Sequence, residues 1–188
     1  MPCQQLFLII LGFNMTQQKI IEGIGLPLTR KTTTLQERFP EYFIISGDKT
    51  IEQTRAKYGL TFSQFFQKNF NDPIRQEQRQ LFSQIVEYSK DFKKIAWDLT
   101  NLSKKDRAKV MGYYPEAEFT AVVFEFEGYE EEIIQLNYER GLSTGKVIPK
   151  KVIINMIKNY EPVTKKEGFS EIITLNTIPS IIAFENAA

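Results

Sequence analysis

Histidine is absent from the 188 residues, and cysteine occurs once, at Cys3. The first absence removes Ser-His-Asp and Cys-His nucleophilic sites, histidine general bases and His-ligated zinc in one step. The second removes intrachain disulfides and thiolate metal sites, and suits a reducing, cytoplasmic setting. A formal charge of +1 provides no global field for nucleic acid or an acidic membrane, so any basic surface must be local. Long apolar runs are missing too. Leu6 to Phe13 (LFLIILGF) falls far short of the roughly 20 residues a membrane-spanning helix needs, and no basic segment precedes it. It reads either as an added strand or cover, or as sequence ahead of a true start at Met15. No repeat, low-complexity tract or linker interrupts the rest. Residues 19–188 are therefore expected to form a single domain, with 1–18 an extension whose status the sequence leaves open.

What remains is ordinary globular material, 42% hydrophobic and 25% charged, enough for a sizeable core. Its chemistry must run on carboxylates, lysine, arginine, hydroxyls and hard cations. Phosphoryl transfer is the large reaction class that needs nothing else.

Residues 25 to 32 read Gly-Leu-Pro-Leu-Thr-Arg-Lys-Thr. This is the phosphate-binding pattern G-x-x-x-x-G-K-[ST] with arginine at its second glycine. In the intact motif, backbone N–H groups and the lysine cradle phosphates while the hydroxyl reaches Mg²⁺. Gly25, Lys31 and Thr32 are in place. The placement also fits, because Lys19 to Gly25 reads as a strand running into a glycine turn. Glu22 is anomalous there, since a strand buried on both faces should not carry an unpaired carboxylate.

Further on, a short helix from Thr32 is expected to end near Pro40, before a second strand at Tyr42 to Ser46. Asp48 is placed to cap a helix over Lys49 to Tyr58, closed by Gly59. Thr61 to Asn69 carries Phe62, Phe65 and Phe66 on one helical face. Asp72 and Pro73 start a long helix to about Lys90. Lys94 to Asp98 is the third strand, and Ser103 caps a basic helix ending at Gly112. Phe119 to Phe126 is the fourth strand, and Tyr129 to Arg140 a helix with an acidic first turn. After a loop at Gly141 to Val147, Pro149 opens another helix to about Tyr160, and Glu171 to Leu175 is the fifth strand. Strands alternating with helices imply an open, mostly parallel, five-stranded α/β sheet.

Ligands of such sheets bind beyond the carboxyl ends of the strands. The phosphate loop, Asp48, Asp98 with Thr100 and Asn101, and Arg140 are all expected there. Each also has a plainer reading. Asp48 serves equally as a helix cap, Asp98 and Asn101 as turn formers, and Arg140 as a solvated charge near a helix end. The basic sets Lys104, Lys105, Arg107, Lys109 and Lys146, Lys150, Lys151, Lys165, Lys166 read as exposed helix faces or as nucleic-acid contacts.

The chain resembles the P-loop polynucleotide kinase family from about Lys19 to Leu175. Trp97-Asp98-Leu99-Thr100-Asn101-Leu102 followed by Arg107 resembles its D-x-T-N-x segment. Asn137-Tyr138-Glu139-Arg140 resembles its N-x-x-R lid. Lys146-Val147-Ile148-Pro149 with Val152 and Met156 resembles its G-K-x-I-P-x-x-V-x-x-x-M helix. Tyr160-Glu161-Pro162 with Glu167-Gly168-Phe169-Ser170 resembles its P-x-x-x-E-G-F-[DS] ending. The resemblance implies a three-layer P-loop kinase-like α/β fold and ATP-dependent, or other NTP-dependent, phosphoryl transfer. The implied acceptor is a 5′-hydroxyl of nucleic acid or of a small nucleoside-like molecule, with Mg²⁺ as cofactor and no membrane partner. Asp48 is then the base that takes the acceptor proton, with Lys31 and Arg140 on the donor phosphates. Gly25, Arg30, Lys31, Thr32 and Thr33 form the nucleotide cradle, Thr32 and Asp98 hold the metal, and Asn101 holds the loop after the third strand.

Departures from the family pattern pull the other way. Leu28 and Arg30 stand at its two inner glycines, where a side chain forced to positive φ costs about 1–2 kcal/mol. Gly47, Ile51 and Leu136 occupy positions where these kinases often carry arginine. The alternative is therefore a degenerate member that binds nucleotide or nucleic acid without efficient transfer.

Overall fold

The computed structural model describes residues 17–178. Cys3, the apolar segment 6–13 and Met15 lie outside the described residues. The order is β1 (Lys19–Ile24), α1 (Lys31–Arg38), β2 (Phe43–Ser46), α2 (Gly47–Lys57), α3 (Phe62–Gln67), α4 (Pro73–Ser89), β3 (Lys94–Asp98), α5 (Lys104–Tyr113), β4 (Glu118–Phe124), α6 (Glu130–Thr144), α7 (Lys150–Lys158) and β5 (Glu171–Leu175). The strands form one sheet in the order β2-β3-β1-β4-β5. Every neighbouring pair is parallel. The mostly parallel α/β sheet expected from the sequence is thus parallel throughout.

β1 lies at the centre, and all of its residues except Lys19 are buried. Ile20, Ile24, Ile45, Trp97 and Ala121 form one face with Val86 of α4 and Val110 of α5. Ile21, Ala96 and Val122 form the other with Leu35 of α1. A third cluster sits past the carboxyl ends of the strands. There Leu26, Leu102 and Phe126, each following a different strand, meet Ile133 of α6 and Ile153 of α7. These three clusters seat the strand-end loops on packed apolar side chains, which is what gives a site built from loops a defined geometry.

Local rules explain most helix starts. The Thr61 hydroxyl accepts from the Gln64 amide, and the Gln64 side chain returns the bond, a full capping box. The Asp72 carboxylate accepts from the Ile74 amide ahead of Pro73, and Ser103 accepts from the Asp106 amide. One expectation fails here. Asp48 is not a cap: α2 begins at Gly47 with Ser46 in the capping position, so Asp48 lies inside the first turn. The helix dipole satisfies that carboxylate without a capping bond, and its side chain is left to reach outward. α6 also runs on through Gly141, because that glycine lies against the following turn. A Cβ there would come within 2.9 Å of Val147 Cβ.

Candidate functional site

The loop from Gly25 to Arg30 joins β1 to α1. Gly25 has φ +156°, and a Cβ on it would fall 2.9 Å from both Cβ and the carbonyl oxygen of Phe124. Glycine is therefore required by close approach to β4. Leu28 (φ 72°) and Arg30 (φ 55°) both adopt left-handed backbone. These are the two positions where the resembled family carries glycine. The bulky residues have not rebuilt the loop; they follow the path that glycine permits and bear its strain.

The first amide of α1 to donate to a backbone carbonyl is that of Thr34, to Arg30 at 2.9 Å. The amides of Lys31, Thr32 and Thr33 in the first turn of α1 have no intrahelical acceptor, and such donors at a helix start suit an anion. The loop is braced from inside by Thr29 Oγ1, which donates to the Leu26 carbonyl at 2.9 Å. From outside, Thr177 Oγ1 donates to the Thr29 carbonyl at 2.8 Å.

Lys31 is buried, and its ammonium donates to the Gly25 carbonyl at 3.0 Å and the Leu26 carbonyl at 2.7 Å. Burial pushes its pKa down to about 8, against the opposing pull of Asp98 and Asp48. Thr32 Oγ1 donates to Asp98 Oδ2 at 2.6 Å, joining the start of α1 to the end of β3. A hydroxyl and a carboxylate at the rim of a phosphate loop are hard oxygen donors of the kind Mg²⁺ takes, with phosphate and water completing the shell. Among the described residues no cluster of three or more acidic, cysteine or histidine side chains forms a separate metal cage.

A cavity of about 370 Å³ opens beside these groups, lined by Arg30, Lys31, Thr32, Thr33, Asp48, Asp98 and Arg140 together with Pro27, Leu28, Ile51 and Thr100. Arg30, Lys31, Thr32, Thr33, Asp48, Asp98 and Arg140, all singled out from the sequence, therefore border one hollow, while Gly25 and Asn101 do not line it. A larger hollow of about 630 Å³ lies between the start of α5 and the face of α7, and shares only Thr100 with that set. The groups expected to carry chemistry border the smaller one.

Asp48 and Arg140 come from opposite sides. The Asp48 side chain is 66% exposed, and its Oδ2 takes a bond of 2.7 Å from the ammonium of Lys146. Arg140 donates from Nε to the Lys146 carbonyl at 3.0 Å and from Nη2 to Asn137 Oδ1 at 3.1 Å. Burial lowers the Arg140 pKa from its ordinary value, and the Asp48 charge opposes that. Asn137 also exchanges two bonds with the backbone of Ile148. The N-x-x-R pair thus holds the turn after α6 in place. Sequence reasoning grouped Lys146 with surface lysines and did not foresee its contact with Asp48; nothing in local sequence signals a contact across 98 positions.

Two polar residues lie behind the site, the first in the role the resemblance implies and the second not. Asn101 takes φ 47° and donates from Nδ2 to the Gly23 carbonyl at 3.0 Å, latching the loop after β3 to the end of β1. Arg107, read from sequence as one of an exposed basic set, is fully buried. It donates to the carbonyls of Asn101, Leu102 and Glu161 and pairs with Glu167 at 2.6 Å. Its neighbours Lys104, Lys105 and Lys109 are exposed as expected. Glu22 is fully buried with both carboxylate oxygens unpartnered, and burial pushes its pKa up to about 8 while Arg107 pulls against that.

Neither a protein-family model nor a curated protein matches the chain by sequence. By structure it is similar to a candidate kinase from Chloroflexus aurantiacus, with a TM-score of 0.56 and 10% identity over 91% of this chain and 98% of that one. It is also similar to a fungal RNA kinase, with a TM-score of 0.50 and 16% identity over 90% of this chain and 85% of that one. Likeness at such identities speaks for architecture, and the architecture is that of the P-loop kinases.

Proposed function

We propose that this chain is a polynucleotide kinase-like phosphotransferase that moves the γ-phosphoryl group of ATP, or another NTP, to a 5′-hydroxyl of nucleic acid or of a nucleoside-like acceptor. One observation carries the reading: Leu28 and Arg30 hold left-handed backbone, and the loop they shape borders the hollow beside Lys31. A loop that had merely decayed has no reason to retain strain of about 1–2 kcal/mol per residue.

In this reading Asp48 accepts the proton of the acceptor hydroxyl as its oxygen bonds to the γ-phosphorus and the bond from γ-phosphorus to the bridging oxygen breaks, leaving the nucleoside diphosphate. Lys31 leaves its loop carbonyls for the phosphate oxygens, and Arg140 faces the developing charge across the hollow. Gly25 admits the loop's close turn, and Arg30 and Thr33 line the rim. Thr32 and Asp98 would hold Mg²⁺, which supplies charge neutralisation on the phosphates when bound.

A second reading is favoured by the bonds Lys31 and Asp48 now make. Both groups are engaged, one with its own loop and the other with Lys146, and Gly47, Ile51 and Leu136 bring no cation to the site. A protein held in that state binds nucleotide or nucleic acid without efficient transfer.

Thermal unfolding with and without Mg²⁺-ATP, alongside Lys31→Ala, tests binding; stabilisation lost in the variant is the expected result. Labelled-phosphate transfer to a 5′-hydroxyl oligonucleotide and to a nucleoside 3′-monophosphate separates the two readings. Transfer that survives Asp48→Asn unchanged removes Asp48 as the base, and nucleotide binding without any transfer leaves the second reading.

A further inference from the structure

The helices between β2 and β3 carry a surface that the phosphoryl-transfer reading does not use. It begins at Lys146, whose ammonium touches Asp48 on one side and lies 5.3 Å from the ring centre of Phe62 on the other. Phe62 and Phe66 follow with ring centres 4.7 Å apart. The Arg75 guanidinium lies 4.7 Å from the centre of Phe65 and 4.9 Å from that of Phe66. Arg79, one helical turn further along α4, stacks 3.9 Å above Phe70. Cations and rings thus alternate along a line that leads away from Asp48.

Three features distinguish this line from a core that happens to surface. Phe66 and Phe70 are 47% and 70% exposed, although an aromatic ring gains most from being buried. Arg75 Nε and Arg79 Nη1 are shielded from water with no hydrogen-bond partner, and neither guanidinium pairs with a carboxylate among the described residues. The two also act on each other: burial and the Arg79 charge lower the pKa of Arg75. Two like charges held close, with open rings beside them and no acid between, lack an anion that brings flat apolar surfaces with it.

We infer that this ladder of Phe62, Phe66, Phe70, Arg75 and Arg79 is a binding track for single-stranded nucleic acid, which delivers a 5′ end to Asp48. Unpaired bases stack on the exposed rings of Phe66 and Phe70, phosphates are drawn to the guanidinium charges, and sequence preference is weak because every base has a π-face. A duplex cannot use the track, because its bases are already stacked and paired. The inference rests on the acceptor reading above for its direction, but strand binding needs no ATP and is measured separately.

The test is fluorescence anisotropy of a 3′-labelled, 5′-hydroxyl octanucleotide, DNA and RNA, without ATP, on the wild-type chain, Phe70→Ala and Arg79→Ala. Each substitution is expected to weaken binding about tenfold. Arg79→Ala should also reduce the slope of log affinity against log salt by about 0.7, as loss of one single-strand phosphate contact requires. Mg²⁺-ATP stabilisation should be the same in all three proteins, which shows that the variants remain folded. Equal strand affinity in all three overturns the track. So does equal competition by a blunt duplex, or self-association that Phe70→Ala abolishes, which would make a second copy of the chain the occupant. Strand binding that depends on the ladder, with no phosphate transferred, would instead overturn the enzyme reading and leave the track standing.

Discussion

The ammonium of Lys146 stands 2.7 Å from Oδ2 of Asp48, and the same lysine's carbonyl accepts from Nε of Arg140. One residue thus ties the proposed base to the turn that carries the proposed phosphate-gripping arginine. While that bond holds, an acceptor hydroxyl must compete with Lys146 for the same carboxylate oxygen. Because Asp48 is mostly exposed, the pair should contribute little to folding. A double-mutant cycle with Asp48→Asn and Lys146→Ala, read by urea unfolding, should give a coupling of about 0.2–1 kcal/mol. A coupling several times larger would mark a structural pair and argue against release during turnover.

Strain in the phosphate loop is measurable residue by residue. Arg30→Gly should raise stability by roughly 0.5–1 kcal/mol, since left-handed backbone suits glycine and Arg30 gives up only an exposed contact with Glu37 at 3.7 Å. Leu28→Gly should gain less, because Leu28 also packs against the cluster around Leu26 and Ile133. Urea unfolding of both variants checks the order, and a loss on Arg30→Gly would contradict the strained-loop account.

Glu22 gives stability a definite pH dependence. Its pKa is about 8 in the folded chain and near 4.5 when solvated, so the native state holds a proton that the unfolded chain releases. Stability should be fullest below about pH 4.5 on this group's account and should fall by about 1.4 kcal/mol per pH unit until pH 8. Glu22→Gln should flatten that slope. Thermal or urea unfolding between pH 5.5 and 8 reads the difference, and parallel profiles for the two proteins would refute it.

Arg107 is the group whose loss should cost most. Arg107→Met leaves the Glu167 carboxylate with Thr164 as its remaining partner and takes the guanidinium donor from the carbonyls of Asn101 and Glu161, an effect of about 3–5 kcal/mol. Arg107→Lys should recover only part of it, because one ammonium cannot reproduce a planar fork. A methionine variant as stable as the parent would show that the guanidinium is dispensable.

Much of the fold could be read from apolar runs. Lys94–Asp98 and Glu171–Leu175 have the bounds expected, and β1 was located by its glycine turn. Glu22 was conspicuous because its neighbours in the strand are apolar. The parts that resisted depend on distance along the chain. Arg107 looked like one of four surface cations, yet partners more than 50 positions away enclose it. Asp48 looked like a cap, yet Ser46 takes that position two residues earlier. Spacing placed Phe62, Phe65 and Phe66 on one helical face, but only Phe65 is fully buried. No pattern in single residues announces that Leu28 and Arg30 keep the backbone path of glycine, because Phe124 at the end of β4 and Thr177 lie against that loop from far along the chain.

Arg107 also dictates an order of assembly. The guanidinium that supports the loop carrying Thr100 and Asn101 is itself held by Glu167, 60 positions later. During synthesis from the amino end, the central strand, the phosphate loop and Asp98 emerge well before their brace. The loop after β3 is therefore braced late, and a nascent chain halted ahead of Glu167 would carry every residue of the proposed nucleotide site without that brace.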